Sequence, residues 1–185
     1  MKLRTIAFFG GHALSPKSKE YQAAKDIAKF CARQGLTVLN GGGPGIMRAS
    51  TEGAHLGGGQ VIGITTYYGG FGRPNFEGVD KKNNFDKEII ADDYFERTKK
   101  LLRMGDIHII FKGGPGTISE FGMTWIMSSI HEGNSKPIIL FGDFWHDIFD
   151  VLSRTMLVRQ GEDILYNIAE TPEKAKDLIR VFLSK

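Results

Sequence analysis

Short runs of consecutive apolar residues alternate with longer amphipathic stretches along almost the whole chain, and glycine clusters follow three of those runs. Thr5–Phe9 leads into Gly10-Gly11, Leu36–Leu39 into Gly41-Gly42-Gly43, and Ile107–Phe111 into Gly113-Gly114-Pro115-Gly116. A strand that is apolar at every position, not at alternate ones, is buried on both faces, as in a parallel sheet covered by helices. Strand–helix alternation of this kind predicts an α/β fold, a doubly wound parallel sheet with helices on both faces. Ligands of such sheets bind beyond the carboxyl ends of the strands. The three glycine clusters are therefore expected on one edge of the sheet.

The stretches between the runs have helical spacing. Lys19 to Gln34 places Ala23, Ala24, Ile27, Ala28, Phe30 and Cys31 on one face, and Gly35 stops the helix. Further helices are predicted from about Pro44 to Leu56, Tyr94 to Met104, Pro115 to Ile130, Trp145 to Leu157 and Pro172 to Leu183. Val61–Ile64 and Pro137–Phe141 complete the predicted strands. Thr66 to Asp92 has no clean period and reads as a long loop, the kind that is usually functional or disordered. Its aromatic part, Tyr67 to Phe76, suits either stacking on a base or packing against a second subunit.

At 185 residues the chain is expected to be one domain, and its composition is that of an ordinary globular protein, 41% hydrophobic and 24% charged. Cys31 is the only cysteine, which excludes a disulfide framework and a cysteine-based zinc site. The five histidines lack a ligand spacing such as H-E-x-x-H, so no metal site is expected. A net charge of +3 does not argue for nucleic acid, and no run approaches the ~18 apolar residues of a membrane span. The apolar run Ile6–Phe9 is too short for a secretory signal. A cytoplasmic setting is the expectation.

Glycines at 113–116 allow a sharp turn and let a ligand approach the backbone at the start of a helix. The free amides of a first helical turn, with the positive end of the helix dipole behind them, suit a phosphate, and Thr117 adds a hydroxyl. Gly41 to Met47 repeats the arrangement. Neither turn is a Walker A loop or a complete G-x-G-x-x-G fingerprint. Gly57-Gly58-Gly59 reads as structural.

Gly113-Gly114-Pro115-Gly116-Thr117-Ile118-Ser119-Glu120 resembles the P-G-G-x-G-T-x-x-E signature of the LONELY GUY (LOG) family, long mislabelled "lysine decarboxylase". Gly41 to Met47 is similar to that family's G-G-G-x-G-x-M segment, and Glu96-Arg97 to its E-R-K element. Thr98 stands where the family usually has lysine and Lys112 where it has proline. The resemblance implies a Rossmann-like fold, usually dimeric, that hydrolyses nucleoside 5′-monophosphates to free base and ribose 5-phosphate, with no cofactor. By that resemblance Arg97 and Glu120 are catalytic, and Gly114, Gly116 and Thr117 hold phosphate; the two glycine turns add Gly42, Gly43 and Gly113 to the expected substrate- and phosphate-binding residues. Lys100, one turn beyond Arg97, either restores the missing lysine charge or pairs with Glu96 at i,i+4.

Such chemistry passes through an oxocarbenium-like sugar, which a carboxylate can stabilise or attack through an activated water. Glu120 lies one helical turn past the glycine turn, in reach of a sugar whose phosphate the turn holds. The competing reading from a different class is a non-catalytic nucleotide or molybdenum-cofactor carrier. A pyridoxal-dependent decarboxylase is disfavoured, since no lysine-centred cofactor motif is recognisable. A homodimer is expected from the apolar helices around Trp125–Ile130 and Tyr94–Met104.

Overall fold

The computed structural model describes residues 3–67, 79–131, 135–159 and 161–185. Tyr68 to Phe76, the greater part of the aromatic segment, lies outside the described residues. Seven parallel strands form one sheet: β1 (Thr5–Phe9), β2 (Thr37–Asn40), β3 (Val61–Thr66), β4 (Lys87–Ala91), β5 (Ile107–Ile110), β6 (Ile138–Phe141) and β7 (Asn167–Ala169). Their spatial order is β4-β3-β2-β1-β5-β6-β7. The chain thus winds outward from β1 in one direction, returns, and winds outward from β5 in the other. The switch point lies between β1 and β5, where loops diverge and leave a crevice at the carboxyl edge.

Six helices cover the sheet: α1 (Lys19–Arg33), α2 (Ile46–Leu56), α3 (Tyr94–Met104), α4 (Pro115–Ile130), α5 (Phe144–Thr155) and α6 (Pro172–Leu183). Side chains of β1 divide between two cores because a strand's residues alternate faces. Ile6 and Phe8 pack with α1, α2 and α6, while Ala7 and Phe9 pack with α3, α4 and α5. Ser18, Asp93 and Thr171 cap α1, α3 and α6 with their side chains. Gly57–Gly59 closes α2 against α1 and enters β3, the structural role expected of it. Among the described residues, no helix is long and apolar enough to cross a membrane.

The structure corrects the sequence reading in several places. Thr66–Asp92 is not all loop, because β4 lies within it. This edge strand is exposed or half-exposed at Lys87 to Ile90 and so carries no buried apolar run to betray it. The three-residue β7 and a short 3-10 helix at Glu162–Leu165 also escaped the reading. β2 begins at Thr37 instead of Leu36 and continues through Asn40, whose side chain is wholly buried. α2 begins at Ile46, two residues after Pro44, because Gly45 adopts φ +66°.

Candidate active site

Three glycine-bearing loops meet at the carboxyl edge through direct backbone contacts. The Gly11 amide donates to Lys112 O at 2.9 Å, and Gly11 O accepts from the Ile46 amide at 3.1 Å. Gly45 is obligatory here, since its positive φ disfavours a side chain and a Cβ would overlap the Gly11 carbonyl oxygen. A Cβ on Gly113 would likewise overlap the Thr117 hydroxyl and stand 2.9 Å from the Gly11 amide. The β1 loop is thereby fastened to both later turns.

Between them opens a cleft of about 530 Å³. Gly10, Gly11 and His12 form one wall, Gly114 to Thr117 another, and Tyr94, Arg97 and Glu120 converge from α3 and α4. The N-cap of α4 is Gly114, which has no side chain to cap the helix, and the Ile118 amide is already bonded to Gly114 O at 3.1 Å. The amides of Gly116 and Thr117 precede it at the open helix end, the arrangement that suits an anion. Pro115 sits in the first turn, where its missing N–H costs nothing.

Arg97 and Glu120 are 8% and 5% exposed, and Arg97 Nη2 stands 3.8 Å from Glu120 Oε1. The guanidinium lies 4.7 Å from the centre of the Tyr94 ring, within cation–π range. Gly41 also lies against it, where a Cβ would be 3.0 Å from Arg97 Cζ and 3.2 Å from Met47 Sδ. Arg97 Nε is buried and has no hydrogen-bond partner among the described residues. A buried donor left unpaired is costly, which makes this nitrogen a natural point of contact for a bound anion or its water. The Tyr94 hydroxyl lies against Gly116, 2.7 Å from where a Cβ would be, and narrows the mouth of the cleft.

α3 is held at both ends. Asp93 accepts from the Glu96 amide at 2.8 Å, and Lys136 Nζ donates to the carbonyls of Leu102, Arg103 and Gly105 at 2.7–2.9 Å. Cationic capping of helix carbonyls is favourable, although partial burial pulls the Lys136 ammonium below the ordinary lysine range. Beside it, His108 is buried and pushed down to about 4 by desolvation and then by the nearby Lys136 charge. It is a neutral core imidazole at pH 7, with Nε2 facing Leu102 O at 3.2 Å.

Several expected phosphate contacts are not brought to this cleft. The Gly42 amide donates to Asn40 Oδ1 at 2.9 Å, and the Gly43 amide to Met47 Sδ at 3.3 Å. Both donors are consumed within their own turn. Lys100 Nζ sits 3.6 Å from Glu96 Oε2 and does not line the cleft, so the pairing alternative is the one observed. Lys112 is exposed, with its ammonium 5.7 Å from the Phe144 ring centre. Thr98 is buried, and its hydroxyl has no hydrogen-bond partner among the described residues.

Two contributors escaped the sequence reading. Asn40 Nδ2 lies within 3.1 Å of Met47 O, Ser50 Oγ and Thr51 Oγ1, fixing the turn on which Arg97 rests. A polar residue closing the apolar run Thr37–Leu39 was the available signal. Tyr94 had none, because its role comes from facing Arg97 and Gly116 in space.

The chain is similar to the pyrimidine/purine nucleotide 5′-monophosphate nucleosidase of Escherichia coli K12, 28% identical over 162 residues. The match covers 85% of this chain and 35% of the relative, so the chain spans about a third of that protein's length. It is also similar to a cytokinin riboside 5′-monophosphate phosphoribohydrolase of Arabidopsis thaliana, 26% identical over 140 residues, or 74% of this chain and 58% of the relative. An Archaeoglobus fulgidus protein is 31% identical over 143 residues, covering 77% and 87% of the two chains. The fold is similar to that of the molybdenum cofactor binding protein from Rippkaea orientalis, with TM-score 0.71, 24% identity and 99% coverage of each chain. Likeness at that identity concerns the fold alone. Residues 3–174, nearly the whole chain, match the SLOG cluster4 family, and the protein belongs to it.

Proposed function

We propose that the protein hydrolyses the N-glycosidic bond of a nucleoside 5′-monophosphate, a cytokinin nucleotide or an ordinary one such as AMP, releasing free base and ribose 5-phosphate. One observation carries the reading: the buried Arg97–Glu120 pair stands beside a glycine-lined helix start, with Gly114 at its N-cap, at the sheet's switch point. The names of the nucleosidase and phosphoribohydrolase relatives support it.

In this reading Gly114, Gly116 and Thr117 hold the 5′-phosphate at the α4 N-terminus, with Gly113 shaping the turn. Glu120, one helical turn further on, faces the sugar. As the bond to the base lengthens, positive charge grows on the anomeric carbon and ring oxygen, and the carboxylate stabilises it or accepts a proton from the attacking water. Arg97, 3.8 Å from Glu120, contacts the phosphate or assists the leaving base. Tyr94 and Phe95 offer aromatic surface at the cleft for a base.

The protein is read as one cytoplasmic domain that forms a homodimer. Support for the dimer is an apolar surface along α3 and α4, where Phe95, Ile126, Met127 and Ile130 are all exposed and line or flank a second groove. Sedimentation at micromolar concentration tests it, and a monomer overturns it.

The activity test is incubation with AMP, GMP, IMP, CMP, UMP and a cytokinin nucleotide, with detection of base and ribose 5-phosphate in equal amounts. Tight binding without release of base overturns the enzyme in favour of a carrier.

A further inference from the structure

We propose that Asp143, His146 and Glu170 bind one divalent transition-metal ion of the Zn²⁺ class at the carboxyl edge of β6 and β7, outside the nucleotide cleft.

The three side chains come from two adjacent chain segments. Asp143 lies two residues beyond the end of β6 at Phe141, His146 lies in the first turn of α5, and Glu170 immediately follows β7. The two strands are paired at Phe141 and Ala169, and the Gly142 amide donates to Ala169 O at 2.9 Å directly beside the cluster. Backbone hydrogen bonds thus fix the spacing of the donor segments without help from an ion. One ligand atom from each side chain lies within 4.8 Å of the others, and His146 Nε2 is 3.2 Å from Glu170 Oε1.

That spacing is right for a shared metal. Nitrogen and oxygen donors at ~2.0–2.2 Å from a tetrahedral ion stand about 3.4 Å apart. The His146–Glu170 edge is already near that distance at 3.2 Å, and with all three donor atoms within 4.8 Å of one another the Asp143 carboxylate has at most about 1.4 Å to close.

Asp143 carries the second argument. It is the N-cap residue of α5, a position where aspartate normally accepts from a helix amide. Its backbone is instead helical, at φ −63° and ψ −33°, and its side chain makes no cap hydrogen bond. Asp93, at the same position of α3, does bond its helix. The Asp143 carboxylate is therefore not spent on capping and is placed beside a second carboxylate. A divalent ion held between the two carboxylates balances the charge of both.

Imidazole with carboxylates favours Zn²⁺, Co²⁺ or Ni²⁺ over Ca²⁺ and Mg²⁺, which prefer all-oxygen sites. All three residues are exposed, so water completes the coordination. The consequence is mechanical: the ion clamps the three-residue edge strand β7 to α5. Histidine spacing in the sequence could not show this site, because only one of its ligands is a histidine and Glu170 is supplied across a strand pair.

The test is calorimetric titration of the full chain with Zn²⁺, alongside H146Q, D143N, E170Q and, as a control, H131Q. The expected result is one Zn²⁺ per chain, bound at least about tenfold more weakly by each of the three variants and unchanged in H131Q. Zn²⁺ should also raise the melting temperature of the wild type and not that of H146Q, which separates a bound clamp from a surface ion pair. Absence of binding, or equal affinity in wild type and H146Q, overturns the proposal.

Discussion

The two glycine turns, Gly41–Gly45 before α2 and Gly113–Gly116 before α4, look alike in sequence and do different work. The first is closed. Its Gly42 and Gly43 amides are bonded to Asn40 and Met47, and the Ile46 amide at the start of α2 is bonded to Gly11 O. The second is open: its N-cap is a glycine, which has no capping side chain, and the Gly116 and Thr117 amides precede the Ile118 amide bonded to Gly114 O. A glycine-rich strand–helix turn offers an anion site only when nothing else claims its donors. The closed turn serves the site indirectly, as the floor under Arg97.

That contrast can be broken in order of expected effect. Gly45→Ala should destabilise the fold by about 3 kcal/mol or more in urea unfolding, since it places a Cβ in a positive-φ conformation and against the Gly11 carbonyl. A normal unfolding midpoint would show that the closed turn is not the rigid one.

Glu120→Gln acts at the open side. Turnover of nucleoside monophosphate should fall by roughly 10²-fold or more with binding largely retained, because the helix start still holds the phosphate. Wild-type base release from this variant would remove Glu120 from the mechanism. Gly41→Ala tests the indirect role. Its methyl pushes on Arg97 Cζ, so turnover should drop about tenfold through misplacement, with little change in nucleotide affinity. Loss of affinity instead would return the first turn to direct phosphate binding.

Gly114→Ala should be the mildest. Its φ is −97°, and an added Cβ meets nothing within 4 Å, so stability should stay within about 0.5 kcal/mol of wild type. A few-fold loss of nucleotide affinity in equilibrium binding, from a methyl at the cleft wall, is the expected readout.

How much of this was legible in the sequence follows from which residues carried a local signal. Buried strands such as Ile107–Ile110 announced themselves by apolar runs, and α6 matched its expected bounds, with Thr171 capping and Pro172 opening the helix. β4 gave no such signal, since an edge strand needs only the hydrogen bonds of β3 on one side and leaves Lys87 and Glu88 in solvent. Arg97 and Glu120 were legible as a motif, but their separation of 3.8 Å was not.

The sequence by itself determined the alternation of elements and the edge on which the glycines lie, because burial on both faces and tight turns each demand particular residues at the position concerned. Only the tertiary structure decided which glycine amides remain available, where Lys100 spends its charge, and that Asp143, His146 and Glu170 meet. Hydrogen-bond donors and charges are assigned to whichever partner comes nearest in space. For Gly42 that partner is two residues away, and for Glu170 it is His146 on the neighbouring strand–helix unit.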